Sequence, residues 1–144
     1  MNFIDLFFSQ SLKKKFVLII EDDEQIASIL TDFIKSCNYD AQSAPNGDLG
    51  LKLTQKNIPD LVLLDITLPN MSGIDVLTRI KSESKTKDIP VIMCTALKQL
   101  NEVETCCKLG AEGYITKPFD LERVYKMIKP YLENPLPIKA LSSK

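Results

Sequence analysis

Residues 16–26 read "FVLIIEDDEQI": five apolar residues followed at once by four acids, Glu21, Asp22, Asp23 and Glu24. A β-branched-rich run with no polar alternation is the pattern of a strand covered on both faces, as in a parallel sheet. Comparable runs recur at 61–64 (LVLL) and 90–95 (PVIMCT), with weaker ones at 40–44 (DAQSA) and 113–116 (GYIT). Between these five strands lie segments of helical period. In 24–37 the apolar positions Ile26, Ile29, Leu30, Phe33, Ile34 and Cys37 keep three-four spacing, and Leu100, Val103, Cys107 and Leu109 roughly keep it in 98–109. Residues 46–56, 73–82 and 119–132 complete five helices. Strands alternating with helices of this length predict right-handed crossovers, hence an α/β chain whose doubly wound, five-stranded parallel sheet carries helices on both faces.

A length of 144 residues suits one domain with its own core. The formal charge of -1, from 18 basic and 19 acidic residues, gives no global pull toward nucleic acid or anionic lipid, so any electrostatic function is local. With no histidine or tryptophan, the chain has no His-containing zinc site, no Ser-His or Cys-His nucleophile pair, and no phosphohistidine of its own. Cys37, Cys94, Cys106 and Cys107 lack C-x-x-C spacing and read as reduced thiols of an intracellular protein. The start, "MNFIDLFFSQSLKKK", is apolar first and basic afterwards, the reverse of a signal peptide, and its apolar part is too short to cross a bilayer. A cytoplasmic location is expected. Residues 1–14 read as an N-terminal extension in which Phe3, Ile4, Phe7 and Phe8 make a short amphipathic helix, an arm packed on its own domain or a partner in preference to a membrane anchor. Residues 134–144, with two prolines and no periodicity, read as a tail or linker remnant. Residues 15–133 are the domain.

In an open parallel sheet, chemistry collects at the carboxyl ends of the strands. The acids follow the first strand there, Asp65 follows the third in "LVLLDITLPNMSG", and Thr95 and Lys117 close the fourth and fifth in "IMCTAL" and "YITKPF". Asp23 and Glu24 suit the first turn of the helix that follows them. Glu21, Asp22 and Asp65 instead crowd three carboxylates into one pocket. Two such charges about 5 Å apart, at an effective dielectric of about 20, repel by roughly 3 kcal/mol. Lys117 supplies one compensating charge, and a divalent ion with oxygen ligands supplies the rest. With no Cys or His at hand, the donor set points to Mg²⁺ rather than zinc. A carboxylate beside Mg²⁺ and a lysine is a good phosphoryl acceptor. Thr95 is either a hydroxyl donor for a phosphoryl oxygen or simply a residue that suits a strand.

Together, "VLIIEDDEQI", "PDLVLLDITLPNMSGID", "IPVIMCTAL" and "GAEGYITKPF", in this order, resemble the receiver domain of two-component response regulators over about residues 15–133. The resemblance implies a flavodoxin-like fold with strand order 2-1-3-4-5. It implies Asp65 as phosphoacceptor and Asp22 as direct metal ligand, with Glu21 acting mostly through water and the backbone carbonyl of Thr67 as a further ligand. It makes Thr95 the switch hydroxyl, Lys117 the partner of the phosphoryl group and Tyr114 the switch aromatic. Pro118 matches a Lys-Pro step that is often cis in the family. Phosphorylation is then expected to bias a two-state equilibrium of the face near the fourth helix, fifth strand and fifth helix. The implied partners are a sensor histidine kinase or histidine phosphotransfer protein and a downstream protein on that face. Homodimerisation is open, and neither direct nucleic-acid binding nor membrane attachment is expected. The chain is expected to act as a signalling domain, not an enzyme in its own right, either complete or a fragment of something longer.

Some positions depart from the commonest family pattern. Glu21 stands where Asp is more frequent. Gly50 lies inside the second helix and is expected to weaken it by about 1 kcal/mol relative to Ala. Thr67 and Leu97, two places past Asp65 and Thr95, resemble positions that control access of water, and Leu97 offers no polar group to orient it. "LLDIT" also resembles the first half of the haloacid-dehalogenase phosphatase motif, but Thr67 stands where that motif needs a second Asp. A receiver-like scaffold that never carries phosphate is the other rival, disfavoured because a scaffold has no need of so much repulsion in one pocket.

Overall fold

The computed structural model describes residues 2–4 and 13–133. Its strands are β1 (Phe16–Ile20), β2 (Asp40–Ala44), β3 (Leu61–Asp65), β4 (Val91–Ala96) and β5 (Gly113–Lys117). Its helices are α1 (Glu24–Ser36), α2 (Gly47–Asn57), α3 (Gly73–Ser82), α4 (Leu100–Lys108) and α5 (Leu121–Leu132), with a 3₁₀ turn over Leu97–Gln99 ahead of α4. All neighbouring strand pairs are parallel, in the order β2-β1-β3-β4-β5. The expected α/β architecture is therefore present, with no element end shifted by more than two residues. Pro90 falls outside β4: lacking an N–H it cannot donate, although its carbonyl accepts from Val62 N–H at 3.0 Å.

The unbroken apolar runs follow from two cores, one on each face of the sheet. Successive side chains of a strand point to opposite faces. Val17 and Ile19 of β1 accordingly pack with Leu30 and Ile34 of α1 and Val124 and Ile128 of α5. Leu18 and Ile20 pack with Val76, Leu77 and Ile80 of α3 and Cys106 of α4. Each fully buried Leu, Ile or Val contributes about 1.5–3 kcal/mol by leaving water, so β1 alone anchors both layers.

Helix starts agree with local chemistry. Asp23 caps α1 by accepting from the N–H groups of Gln25 and Ile26, and Glu24 occupies the first turn, as expected for acids at a helix N-terminus. Asn46, Ser72 and Asp120 cap α2, α3 and α5 in the same way. All four cysteines are free thiols; Cys94 and Cys106 are buried and Cys107 is exposed. Burial pushes the Cys94 thiol up to about 12. Phe3 and Ile4 are exposed, while Phe7, Phe8 and the tail 134–144 lie outside the described residues. Among the described residues no helix is long and apolar enough to cross a membrane.

Two glycines mark close approaches that helix propensity alone does not reveal. A Cβ on Gly50 would fall 2.5 Å from Ile20 Cδ1, so the residue that weakens α2 also lets it lie on β1. A Cβ on Gly73 would fall 2.0 Å from the backbone oxygen of Asp65 and 2.8 Å from Ile66 Cα. At the opposite, amino-terminal rim, Lys81 Nζ lies 2.8 Å from both Glu112 Oε1 and the Ile89 carbonyl, and Glu112 Oε2 accepts from Val91 N–H at 2.6 Å. That cluster ties α3 to the starts of β4 and β5.

Because the Ile20 side chain can shift and the Asp65 peptide cannot, Gly73→Ala is expected to cost about 3 kcal/mol and Gly50→Ala about 1 kcal/mol or less. Urea unfolding of both variants checks this, and equal losses would contradict it.

Candidate functional site

The carboxyl ends of β1, β3, β4 and β5 meet at one rim of the sheet. β1 hands over to Glu21, whose N–H still donates to Ala44 O at 3.0 Å, so the acid begins from a backbone held in the β1–β2 ladder. Asp65 is the last residue of β3 and is only 6 % exposed. Register places Asp65 beside Cys94 of β4 and Ala96 beside Lys117 of β5.

The four charged residues singled out from the sequence converge here. Lys117 Nζ lies 2.5 Å from Glu21 Oε1 and 3.2 Å from Asp65 Oδ2. The second oxygen of Glu21 accepts from Asp23 N–H at 3.2 Å, and Asp65 Oδ1 accepts from Thr67 N–H at 3.2 Å. Both buried carboxyls are thus held at both oxygens. One carboxylate oxygen from each of Glu21, Asp22 and Asp65 lies within 4.8 Å of the other two, with Asp22 on the exposed side.

Three carboxylates against one ammonium leave uncompensated negative charge. Burial raises the Glu21 carboxyl above its usual range; Lys117 pulls it down, and Asp65 pushes it up again. Desolvation also raises Asp22, reinforced by Glu21. Burial alone would lower Lys117, but its bond to Glu21 and the charge of Asp65 outweigh that and raise it, so the ammonium is firmly protonated. The donor set is oxygen only, partly buried and open toward Asp22, which fits a hard divalent cation such as Mg²⁺.

Thr95 is fully buried at the end of β4, and its hydroxyl donates to the Ala96 carbonyl at 3.1 Å rather than to Asp65. Tyr114 on β5 is 39 % exposed and stands in register with Met93 of β4. Leu97 opens the 3₁₀ turn after β4; its side chain lies outside the described part of the structure. The Lys117–Pro118 peptide is cis. Sequence reading did not single out Gln99. Its amide nitrogen donates to the Thr67 hydroxyl, and its amide oxygen accepts from Ala96 N–H at 3.3 Å. No spacing or motif marks a glutamine for such a bridge, because the two loops it joins are 32 residues apart in the chain.

Comparison with known proteins agrees with this geometry. The response regulator receiver domain family matches residues 17–129. The polar-differentiation response regulator DivK of Brucella anthropi is 36% identical over 118 residues, covering 82% of this chain and 96% of DivK. The DNA-binding dual master transcriptional regulator RpaA of Synechocystis is 37% identical over 116 residues, 81% of this chain but 48% of RpaA. The chain thus spans about half of one relative and nearly all of the other. A CheY-like receiver domain protein from Methanospirillum hungatei superposes with a TM-score of 0.77 at 27% identity, covering 83% of this chain and 94% of that one. By sequence and by fold, the chain belongs to the response regulator receiver domain family of two-component signalling.

Proposed function

We propose that Asp65 accepts a phosphoryl group from the phosphohistidine of a histidine kinase or phosphotransfer protein and that the resulting charge switches a partner-binding face. The observation that carries this reading is the placement of Asp65, buried, within 4.8 Å of Glu21 and Asp22 carboxylate oxygens and 3.2 Å from the Lys117 ammonium. These 144 residues hold no histidine, so the phosphohistidine lies outside them, in a sensor kinase or phosphotransfer protein. An Asp65 carboxylate oxygen attacks phosphorus, the O–P bond forms as the P–N bond breaks, and the leaving imidazole nitrogen keeps the electron pair and takes a proton from solvent. Lys117 pairs with the equatorial oxygens as charge builds on them. Asp22, Asp65 and the Thr67 carbonyl would hold Mg²⁺, with Glu21 acting mostly through water. The ion, when bound, supplies charge neutralisation at the phosphoryl oxygens.

Thr95 is the group that reads the new charge. Its hydroxyl leaves the Ala96 carbonyl for a phosphoryl oxygen, and Tyr114 changes exposure in response. The surface of α4, β5 and α5 is where a downstream protein, or a second copy of this chain, would discriminate the two states. This domain catalyses only its own phosphorylation and dephosphorylation, in the cytoplasm. Hydrolysis needs a water aimed at phosphorus, and Leu97 has no polar group to aim it, so the phosphoryl state is long-lived.

Acetyl phosphate with Mg²⁺ is expected to add one phosphoryl mass to Asp65, and Asp65→Asn to abolish it; mass spectrometry of folded protein showing no adduct would overturn the proposal. Asp22→Ala is expected to weaken Mg²⁺ at least tenfold, by analogy with the loss of a supporting group at other metal sites, as read by metal titration. The phosphoryl lifetime is expected to run to minutes and to shorten several-fold in Leu97→Glu. A lifetime of seconds that this substitution leaves unchanged would contradict the role given to Leu97.

A further inference from the structure

The two loops that frame Asp65 are joined by one side chain. Gln99 ends the 3₁₀ turn and stands at the N-cap of α4, yet it makes no side-chain cap bond, whereas Asp23, Asn46, Ser72 and Asp120 each cap their own helix. Its carboxamide reaches across the mouth of the site instead, donating to the Thr67 hydroxyl and accepting from Ala96 N–H. Thr67 N–H donates to Asp65 Oδ1, and the Thr95 hydroxyl donates to the carbonyl of the same Ala96. A continuous set of hydrogen bonds therefore runs from Asp65 through Thr67, Gln99 and Ala96 to Thr95.

We propose that Gln99 is a positioning residue that clasps the β3–α3 loop to the β4–α4 turn in the unphosphorylated state and so restrains the switch. The inference rests on Asp65 being the phosphoacceptor. For the Thr95 hydroxyl to reach a group on Asp65 it must leave the Ala96 carbonyl. The Ala96 peptide then moves relative to Gln99, so the clasp and the switched arrangement compete. Removing one ordinary hydrogen-bonded link favours the switched arrangement about fivefold.

The test uses beryllofluoride with Mg²⁺ on the whole chain, following the Ala96 amide by NMR. Gln99→Ala is expected to reach half-saturation at about fivefold lower beryllofluoride than wild type. Thr67→Val is expected to do the same, and the double variant to add nothing further, because both remove one link. Without beryllofluoride, Ala96 N–H is expected to exchange faster in Gln99→Ala. A variant that merely loosened the fold would need more beryllofluoride, not less, so the sign separates positioning from damage. Wild type that binds beryllofluoride while both single variants titrate with it overturns the clasp and leaves the phosphoacceptor reading standing. Wild type that binds none overturns both.

Discussion

The ammonium of Lys117, set between Glu21 and Asp65, is the interaction on which the rest of the site depends. It brings the ends of β1, β3 and β5 to a common point, and it is the only cation within ion-pair distance of either acid among the described residues. Without it, two buried carboxylates would face each other in a medium of low dielectric, and one would take up a proton. With it, Glu21 is drawn back toward its charged form, yet burial, reinforced by the neighbouring carboxylates, keeps Glu21 and Asp22 raised, and one ammonium still does not balance three carboxylates. That residual imbalance makes the cluster receptive to a further cation. The fold's part is to prevent relief by movement: Glu21 and Asp65 leave strands whose neighbouring residues are fully buried.

Much of this arrangement was legible in the chain because its signals are local. β1 and β3 are central strands covered on both faces, so their apolar runs are unbroken, and the acids that end them stand out by contrast. The two weaker strands, 40–44 and 113–116, turn out to be the sheet edges β2 and β5. Each has partly exposed residues, which is why neither reads as a continuous apolar run. Their weakness in the sequence was information about position, not about existence.

What was not legible depends on juxtaposition. Gly50 and Gly73 are marked by what lies opposite them and not by any local pattern, and a helix-propensity argument sees the cost to α2 without the packing on Ile20. The Gln99 bridge needs two loops brought together by the sheet. Tyr39, which donates to Glu133 at 3.2 Å and whose phenol burial pushes up to about 12, likewise joins the end of α1 to the end of α5 without a local cue.

The cluster of Lys81, Glu112 and Val91 lies at the rim opposite the acids. Glu112 directly precedes β5, so that strand is moored at its start by the Lys81 cluster and at its far end by the Lys117 ion pairs, and it pairs with β4 along its length. Held at each end and laddered to β4 between them, this edge strand has little freedom to slide along its neighbour, so the Lys117 amine is kept aimed at the acids by the same pairing that closes the sheet.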